Sequence, residues 1–356
     1  MVIKDKKFAF LFPGQGAQYQ GMALDFLAAG SAALKNLFDL ASDVVGKDME
    51  SLLRDTDAET LMRTDVSQPA ITLANLAAAA YLGEQGIKPA ACAGFSLGEY
   101  AALAAAGVVS TEDCFCLVKA RGEFMQEAAD LLRAEAVTGA GGDRAQDNAP
   151  GMAAEIGLPP GMAAVIGLPP EQVEDLIEEW TAAGLAGLYA ANINSSRQVV
   201  VSGTATALTE AENRFKEAGA RRVIRLKVAG PFHSPLMDGA AEKFRPVLEA
   251  TAFHDPAIPL FSNVTGKRVI SGEEAKKLAL EQITKAVRWT EEEQALSDAG
   301  GFDAVLETGP GKVLQGLWKD SGGEPRPTAS AASSDSTRPC YPAGTVEDIK
   351  SLEGIQ

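Results

Sequence analysis

The stretch 89–107, PAACAGFSLGEYAALAAAG, decides how the fold is read. Residues 89–94 are short and apolar and read as a buried strand. From Ser96 onward the spacing and alanine content are those of a buried helix. Between them, Gly94-Phe95-Ser96-Leu97-Gly98 has the form GxSxG. A sharp strand-to-helix turn of this form exposes the serine hydroxyl, and its glycines leave steric room on either side. The helix N-terminus offers backbone N–H groups to an oxyanion. The plain alternative is an ordinary turn, but the flanking strand and alanine-rich helix favour Ser96 as a nucleophile.

Short apolar runs alternate with helical patterns along the rest of the chain, which points to α/β layering. Residues 7–12 (KFAFLF) read as a strand closed by the turn PGQG, and 198–202 (QVVVS) and 222–228 (RVIRLKV) as further strands. In the last of these Ile224, Leu226 and Val228 alternate with Val223, Arg225 and Lys227, so one face is partly basic. Residues 110–128 form an amphipathic helix with Ser110 as N-cap and Asp113 at the third helical position. Residues 137–150 (VTGAGGDRAQDNAP) are small, polar and glycine-rich, and read as an exposed loop. A direct repeat follows, GMAAEIGLPP then GMAAVIGLPP, differing only at Glu155 and Val165. The second copy leads into the helical pattern EQVEDLIEEW, so Gly161–Pro170 is expected to hold the native strand and the first copy to be looped out. Residues 321–345, rich in Ser, Pro and Gly, are expected to form a long mobile connection before a terminal helical turn.

Composition narrows the function. A chain of 356 residues, 46% of them hydrophobic, suits one large domain or a domain with an inserted subdomain. Its 32 Lys and Arg against 48 Asp and Glu give a formal charge of -16, which argues against nucleic acid as a partner. No uninterrupted apolar run reaches about 18 residues, so no membrane span is expected. The N-terminus, MVIKDKKFAFLFPG, passes from a charged start into a strand without a signal-peptide core. Four cysteines (Cys92, Cys114, Cys116 and Cys340) lack metal-type pairing, and a cytoplasmic protein with reduced, mostly buried thiols is expected. Histidine is the informative count. There are two, His233 and His254, so any imidazole chemistry uses one of them and a multi-histidine metal site is excluded.

A nucleophilic serine needs a base. His254, in AFHDPAIPL, reads as lying in a loop before a strand and suits a surface or packing role. His233, in GPFHSPLMDGAAEKF, follows a strand end and precedes Ser234 and Pro235, an N-cap and a first helical residue. Side chains of α/β enzymes are presented at such places, and the positive end of the helix dipole would keep this imidazole neutral. On the helix 110–128 the apolar face runs Cys114, Leu117, Val118, Met125 and Ala128, and Arg121 falls on that same face. A buried guanidinium needs a partner. Either an internal carboxylate pairs with it, or it awaits a substrate carboxylate that its planar fork suits. The glycine-rich pieces GQGAQYQG and GPGKVL have neither the GxGxxG nor the Walker A spacing, and argue against a nucleotide cofactor.

Taken together, FPGQGAQ (12–18), QPA (68–70), GFSLGEY (94–100), KARGEFMQ around Arg121, FHSPLM (232–237), QITKAVRW (282–289) and ETGPGKVLQGL (307–317) resemble, in order and spacing, the malonyl-coenzyme A:acyl-carrier-protein transacylase family. The resemblance spans the chain apart from residues 130–160 and 321–340. It implies an α/β-hydrolase-like large subdomain with a parallel sheet, residues 1–129 and 228–356, and an inserted ferredoxin-like α+β small subdomain, residues 130–227. It also implies Ser96 as the acylated nucleophile, His233 as its base, and the backbone carbonyl of Gln282 as the group that orients the histidine. The backbone N–H groups of Gln15 and Leu97 would form the oxyanion hole. Arg121 would hold the malonyl carboxylate, and Phe232 fits malonyl rather than branched-extender selection.

The implied reaction is a ping-pong transfer from malonyl-CoA, through a malonyl-serine, to acyl carrier protein. It involves no metal or tightly bound cofactor, and the implied state is a monomer. The sequence departs from the family pattern at Phe95, where histidine is common, and at Pro231, where GPFH stands for GAFH. The basic residues Arg214, Lys216, Arg221, Arg222, Arg225 and Lys227 face only Glu217 as opposing charge in that stretch, and suggest a landing strip for an acidic carrier protein. Two rival readings share some of these features. A serine esterase or thioesterase predicts a carboxylate beside His233 and no need for Arg121, and a non-catalytic carrier-binding subunit would tolerate both the repeat and Phe95.

Overall fold

Strand β1 (Phe8–Phe12) is apolar at every position because both of its faces are covered. Phe8, Phe10 and Phe12 point into one core, while Ala9 and Leu11 point into a second on the other side. A parallel sheet with helices on both faces demands such a run. The computed structural model describes residues 6–138, 159–320 and 338–354. Its larger sheet contains β1, β2 (Pro89–Gly94), β7 (Leu260–Ser262), β8 (Lys267–Val269), β9 (Ala304–Glu307) and β10 (Cys340–Pro342), ordered β10–β9–β1–β2–β7–β8. All neighbours are parallel except β8, which returns antiparallel to β7.

The second sheet contains β3 (Gly161–Ile166), β4 (Leu188–Ser195), β5 (Gln198–Gly203) and β6 (Arg222–Arg225), in the order β4–β5–β3–β6 and antiparallel throughout. With the helices Pro170–Ala182 and Ala205–Glu217 the chain runs strand–helix–strand–strand–helix–strand, the ferredoxin-like arrangement. Period-two alternation divides its side chains between two cores. Ala163 and Val165 pack with Trp180 and Phe215 under its own helices, and Met162, Ala164 and Val200 turn toward the main core. The fold class expected from the sequence is thus the one observed, a mostly parallel α/β sheet with a separate small antiparallel sheet.

Several local expectations need correction. The helix read as 110–128 runs from Thr111 to Thr138, so residues 137 and 138 close a helix rather than open a loop. Ser110 does cap it, accepting from the Asp113 N–H at 3.0 Å and donating to its carboxylate at 2.7 Å. The strand read as 222–228 ends at Arg225. Ser234 is not a side-chain cap. Its hydroxyl turns back to donate to the Pro231 carbonyl at 2.6 Å, and a short 3-10 turn, Pro235–Met237, precedes the helix Asp238–Ala250. The stretch 321–345 is not all connection, because Cys340–Pro342 pairs with β9 as an edge strand. Of the repeat, the second copy supplies β3, while residues 139–158, with most of the first copy, lie outside the described residues, as do 321–337.

Candidate active site

The turn after β2 is built by close approach. A Cβ on Gly98 would stand 1.9 Å from the Phe12 carbonyl oxygen, and one on Gly94 would stand 2.2 Å from the Gly98 carbonyl carbon. Only glycine lets the strand turn this sharply into the helix Gly98–Ala105. Ser96, at the apex, has a φ of 50°. A side chain held in this left-handed region costs on the order of 1–3 kcal/mol, and persists only where its surroundings enforce it.

His233 completes the pair from the other side of the cleft, and it too has a positive φ, 56°. Ser96 Oγ lies 2.8 Å from His233 Nε2, and His233 Nδ1 lies 2.8 Å from the Gln282 backbone oxygen. A carbonyl only accepts, so Nδ1 carries the ring proton and Nε2 is left to accept from the serine hydroxyl. Burial, and after it the Arg121 charge, lower the imidazole pKa from 6.5 to about 4. The ring is therefore neutral, as the sequence suggested, but burial rather than a helix dipole is the main cause. His254 lies exposed before β7, its N–H bonded to the Val108 carbonyl at 2.8 Å, and does not line the cleft.

Arg121 is 1% exposed on the apolar face of its helix, where Cys114, Leu117, Val118 and Met125 are also buried. It donates to Gln282 Oε1 at 3.0 Å and approaches Ser96 Oγ at 3.5 Å, with its guanidinium 5.3 Å from the centre of the Tyr100 ring. Among the described residues no carboxylate lies within ion-pair distance of it, and its Nε has no hydrogen-bond partner. Of the two roles open to a buried arginine, the internal salt bridge is not the one observed.

Ser96, His233 and Arg121 line a cleft of about 280 Å³ between the two sheets. Gln15 and Phe232 line it too. Leu97 opens the helix behind Ser96, and among the described residues neither its N–H nor that of Gln15 has a hydrogen-bond acceptor. Phe232 is buried, and its carbonyl accepts from the Ser202 hydroxyl of β5. Phe95 lines the cleft and packs edge-on against Trp289 of the core, with ring centroids 5.2 Å apart. The structure thus brings Gln15, Ser96, Arg121, Phe232 and His233 to one cleft, with Leu97 next to the serine and Gln282 bonded to the histidine, and leaves His254 away from it. Two things lay beyond the sequence reading. The small sheet contributes Asn192 and Asn194 to the wall, the latter buried with its Oδ1 unpartnered among the described residues. Behind the elbow Glu99, Asn263 and Glu292 form a buried polar cluster with the side chain of Gln282, and of these three only Glu99 gave a sequence signal, as an acidic residue inside the alanine-rich helix.

This fold and site are those of an acyltransferase, and the acyl transferase domain family matches residues 9–192. A malonyl CoA-acyl carrier protein transacylase of Bacillus subtilis (strain 168) is 40% identical over 313 residues, covering 88% of this chain and 90% of its own. Among solved structures, MCAT from Streptococcus pneumoniae matches with a TM-score of 0.81 at 32% identity, covering 98% of this chain and 99% of its own. A malonyl-transacylase solved in complex with its type II PKS acyl-carrier protein matches with a TM-score of 0.80 at 32% identity, over 98% of this chain and 100% of that one. The chain belongs to the malonyl-CoA:acyl-carrier-protein transacylase family.

Proposed function

We propose that this enzyme moves a malonyl group from malonyl-CoA to the phosphopantetheine thiol of an acyl carrier protein, in two half-reactions through a malonyl ester of Ser96. One observation carries the reading. A serine within 2.8 Å of a neutral imidazole shares its cleft with a buried guanidinium that no carboxylate among the described residues pairs with. The first pair is suited to attack on a thioester, and the second group is suited to a substrate that brings its own carboxylate.

In the first half-reaction Ser96 Oγ attacks the thioester carbonyl as its proton passes to His233 Nε2. The resulting oxyanion takes hydrogen bonds from the Gln15 and Leu97 N–H groups. Collapse breaks the C–S bond, and the leaving thiolate of coenzyme A takes the proton from His233. In the second, His233 accepts the proton of the carrier thiol, the sulfur attacks the malonyl ester, and the proton returns to Ser96 Oγ as the C–O bond breaks. The Gln282 carbonyl holds the ring in the required tautomer throughout. Phe232 bounds the acyl pocket and selects malonyl over branched groups. Malonyl-CoA enters as substrate, and the scheme calls on no cofactor.

The reading includes a monomeric cytoplasmic enzyme, divided into a catalytic part, residues 1–129 and 228–356, and a small subdomain, residues 130–227. Among the described residues no helix is long and apolar enough to cross a membrane. The exposed Arg221 and Arg222, with Lys227 at the rim of the cleft, form the docking strip for an acidic carrier protein. Arg214 and Lys216 leave that strip, since they pair one helical turn back with Glu210 and Glu212. The esterase reading is disfavoured because a carbonyl, not a carboxylate, sits at His233 Nδ1.

Arg121→Ala tests the substrate assignment. Malonyl transfer should fall by about two to three and a half decades, the loss expected when a buried carboxylate is left without its partner at roughly 3–5 kcal/mol. Acetyl transfer should fall far less. The measurement is the ratio of kcat/KM for malonyl and acetyl thioesters. An unchanged ratio with lower thermal stability would assign Arg121 to the fold.

A further inference from the structure

The left-handed backbone of Ser96 needs a restraint, and the residue that supplies it lies 167 positions away in sequence. Asn263 immediately follows β7 and is fully buried behind the elbow, outside the lining of the cleft. Its Oδ1 accepts from the Ser96 N–H at 2.5 Å, and its Nδ2 donates to the Gly94 carbonyl at 2.6 Å. One side chain thus holds a donor and an acceptor on either side of Phe95, at the bend itself. The amide fits only one way round, because a flip would set NH2 against N–H and oxygen against oxygen.

Its orientation is fixed in turn. Nδ2 also donates to Glu292 Oε2 at 2.9 Å, and the Asn263 backbone N–H donates to Glu99 Oε2 at 3.2 Å. Glu99 Oε2 further accepts from Gln282 Nε2 at 2.6 Å, and that same Nε2 donates to the Ser96 carbonyl at 3.0 Å. Gln282 is also the residue whose carbonyl holds His233. Burial raises the pKa of both carboxyl groups, Glu99 to about 7. Two acids side by side in the core therefore need not both be charged.

We propose that Asn263 is a positioning residue for acyl transfer. It clamps the turn that presents Ser96, while Glu99 and Glu292 hold the clamp in register with the Gln282 carbonyl that orients the base. The function of Asn263 is to place Oγ relative to His233 Nε2 and the Leu97 N–H, not to touch substrate. The inference rests on Ser96 being the nucleophile. That premise is checked separately, by whether the unaltered enzyme takes up a malonyl group at Ser96.

The test compares Asn263→Ala and the isosteric Asn263→Asp with the unaltered enzyme. Three quantities are read: kcat and KM for malonyl-CoA, the rate at which a small fluorophosphonate labels Ser96, and thermal melting. The phosphonate carries no carboxylate, so it reports on serine placement without Arg121. For Asn263→Ala, kcat should fall by about 100-fold, the scale set by a displacement near 1 Å, with KM little changed. Phosphonate labelling should fall in parallel. Asn263→Asp, which keeps the acceptor but loses the amide donors to Gly94 and Glu292, should lie between. A cooperatively folded variant with near-normal kcat and labelling, or a loss confined to KM, would overturn the proposal. So would failure of both variants to fold, which would assign Asn263 to folding alone.

Discussion

The two sheets meet the cleft on different terms. Ser96, at the end of a strand of the larger sheet, and His233, in the segment between β6 and the helix Asp238–Ala250, sit at φ values of 50° and 56°, and each is fastened by buried polar groups distant in sequence. The small sheet offers Met162, Ala164 and Val200 from ordinary pleated strands, held by alternation between two apolar cores. Positive backbone φ marks the two residues between which a proton must move, whereas the small-sheet wall is strand, even where it carries the buried Asn192 and Asn194. The difference separates the proposed work of the enzyme. In the proposed reaction Ser96 and His233 serve both half-reactions, and the basic edge of the small sheet serves the carrier protein.

The largest expected effect falls on the strained side. His233→Ala should slow formation of the malonyl adduct by about two to four decades, the usual contribution of a positioned general base. His254→Ala, in an exposed loop, should leave the rate unchanged. Rapid-quench measurement of adduct formation on both variants decides it, and the reverse order would move the base to His254.

A smaller effect concerns pH. The neutral ring is the working form, and its pKa is lowered to about 4 by burial first and by Arg121 second. Loss of rate on acidification therefore comes from protonation, and should be slight between about pH 7 and about pH 5 and steep toward the lowered value. An acid limb near the ordinary 6.5 would mean that the ring is solvated in the working enzyme. The measurement is the pH profile of adduct formation from malonyl-CoA.

The smallest effect belongs to the small sheet. Arg221→Glu with Arg222→Glu should raise the apparent KM for an acidic carrier protein several-fold, more at low salt than at high, since exposed charges are screened. Loading from malonyl-CoA should not change. Equal effects on both half-reactions would erase the distinction between the two sheets.

How much of this could be read in the sequence depended on the range of the interaction. Strand β1, the GxSxG elbow and the Ser110 cap were legible because their signals are local: a continuous apolar run, close-packed glycines and a capping pair three residues apart. Arg121 was legible as an anomaly on an apolar face, although the absence of a paired carboxylate among the described residues was not. Asn263 gave no signal, because its meaning lies in a turn 167 residues away. β10 was read as linker because a three-residue strand exists only through its pairing with β9. The basic stretch looked unopposed because Glu210 and Glu212 lie just upstream of it and are brought back by the helical turn.

The most direct test is the intact mass of the protein after brief exposure to malonyl-CoA, with peptide mapping, before and after addition of holo acyl carrier protein. One malonyl group should appear on Ser96, stay there until the carrier protein is added, then disappear from the enzyme and appear on the carrier. Ser96→Ala should acquire none while melting as the unaltered protein does. An adduct at another residue, an adduct that persists on Ser96→Ala, or transfer to the carrier protein with no acylated enzyme at any time would contradict a two-step reaction through Ser96.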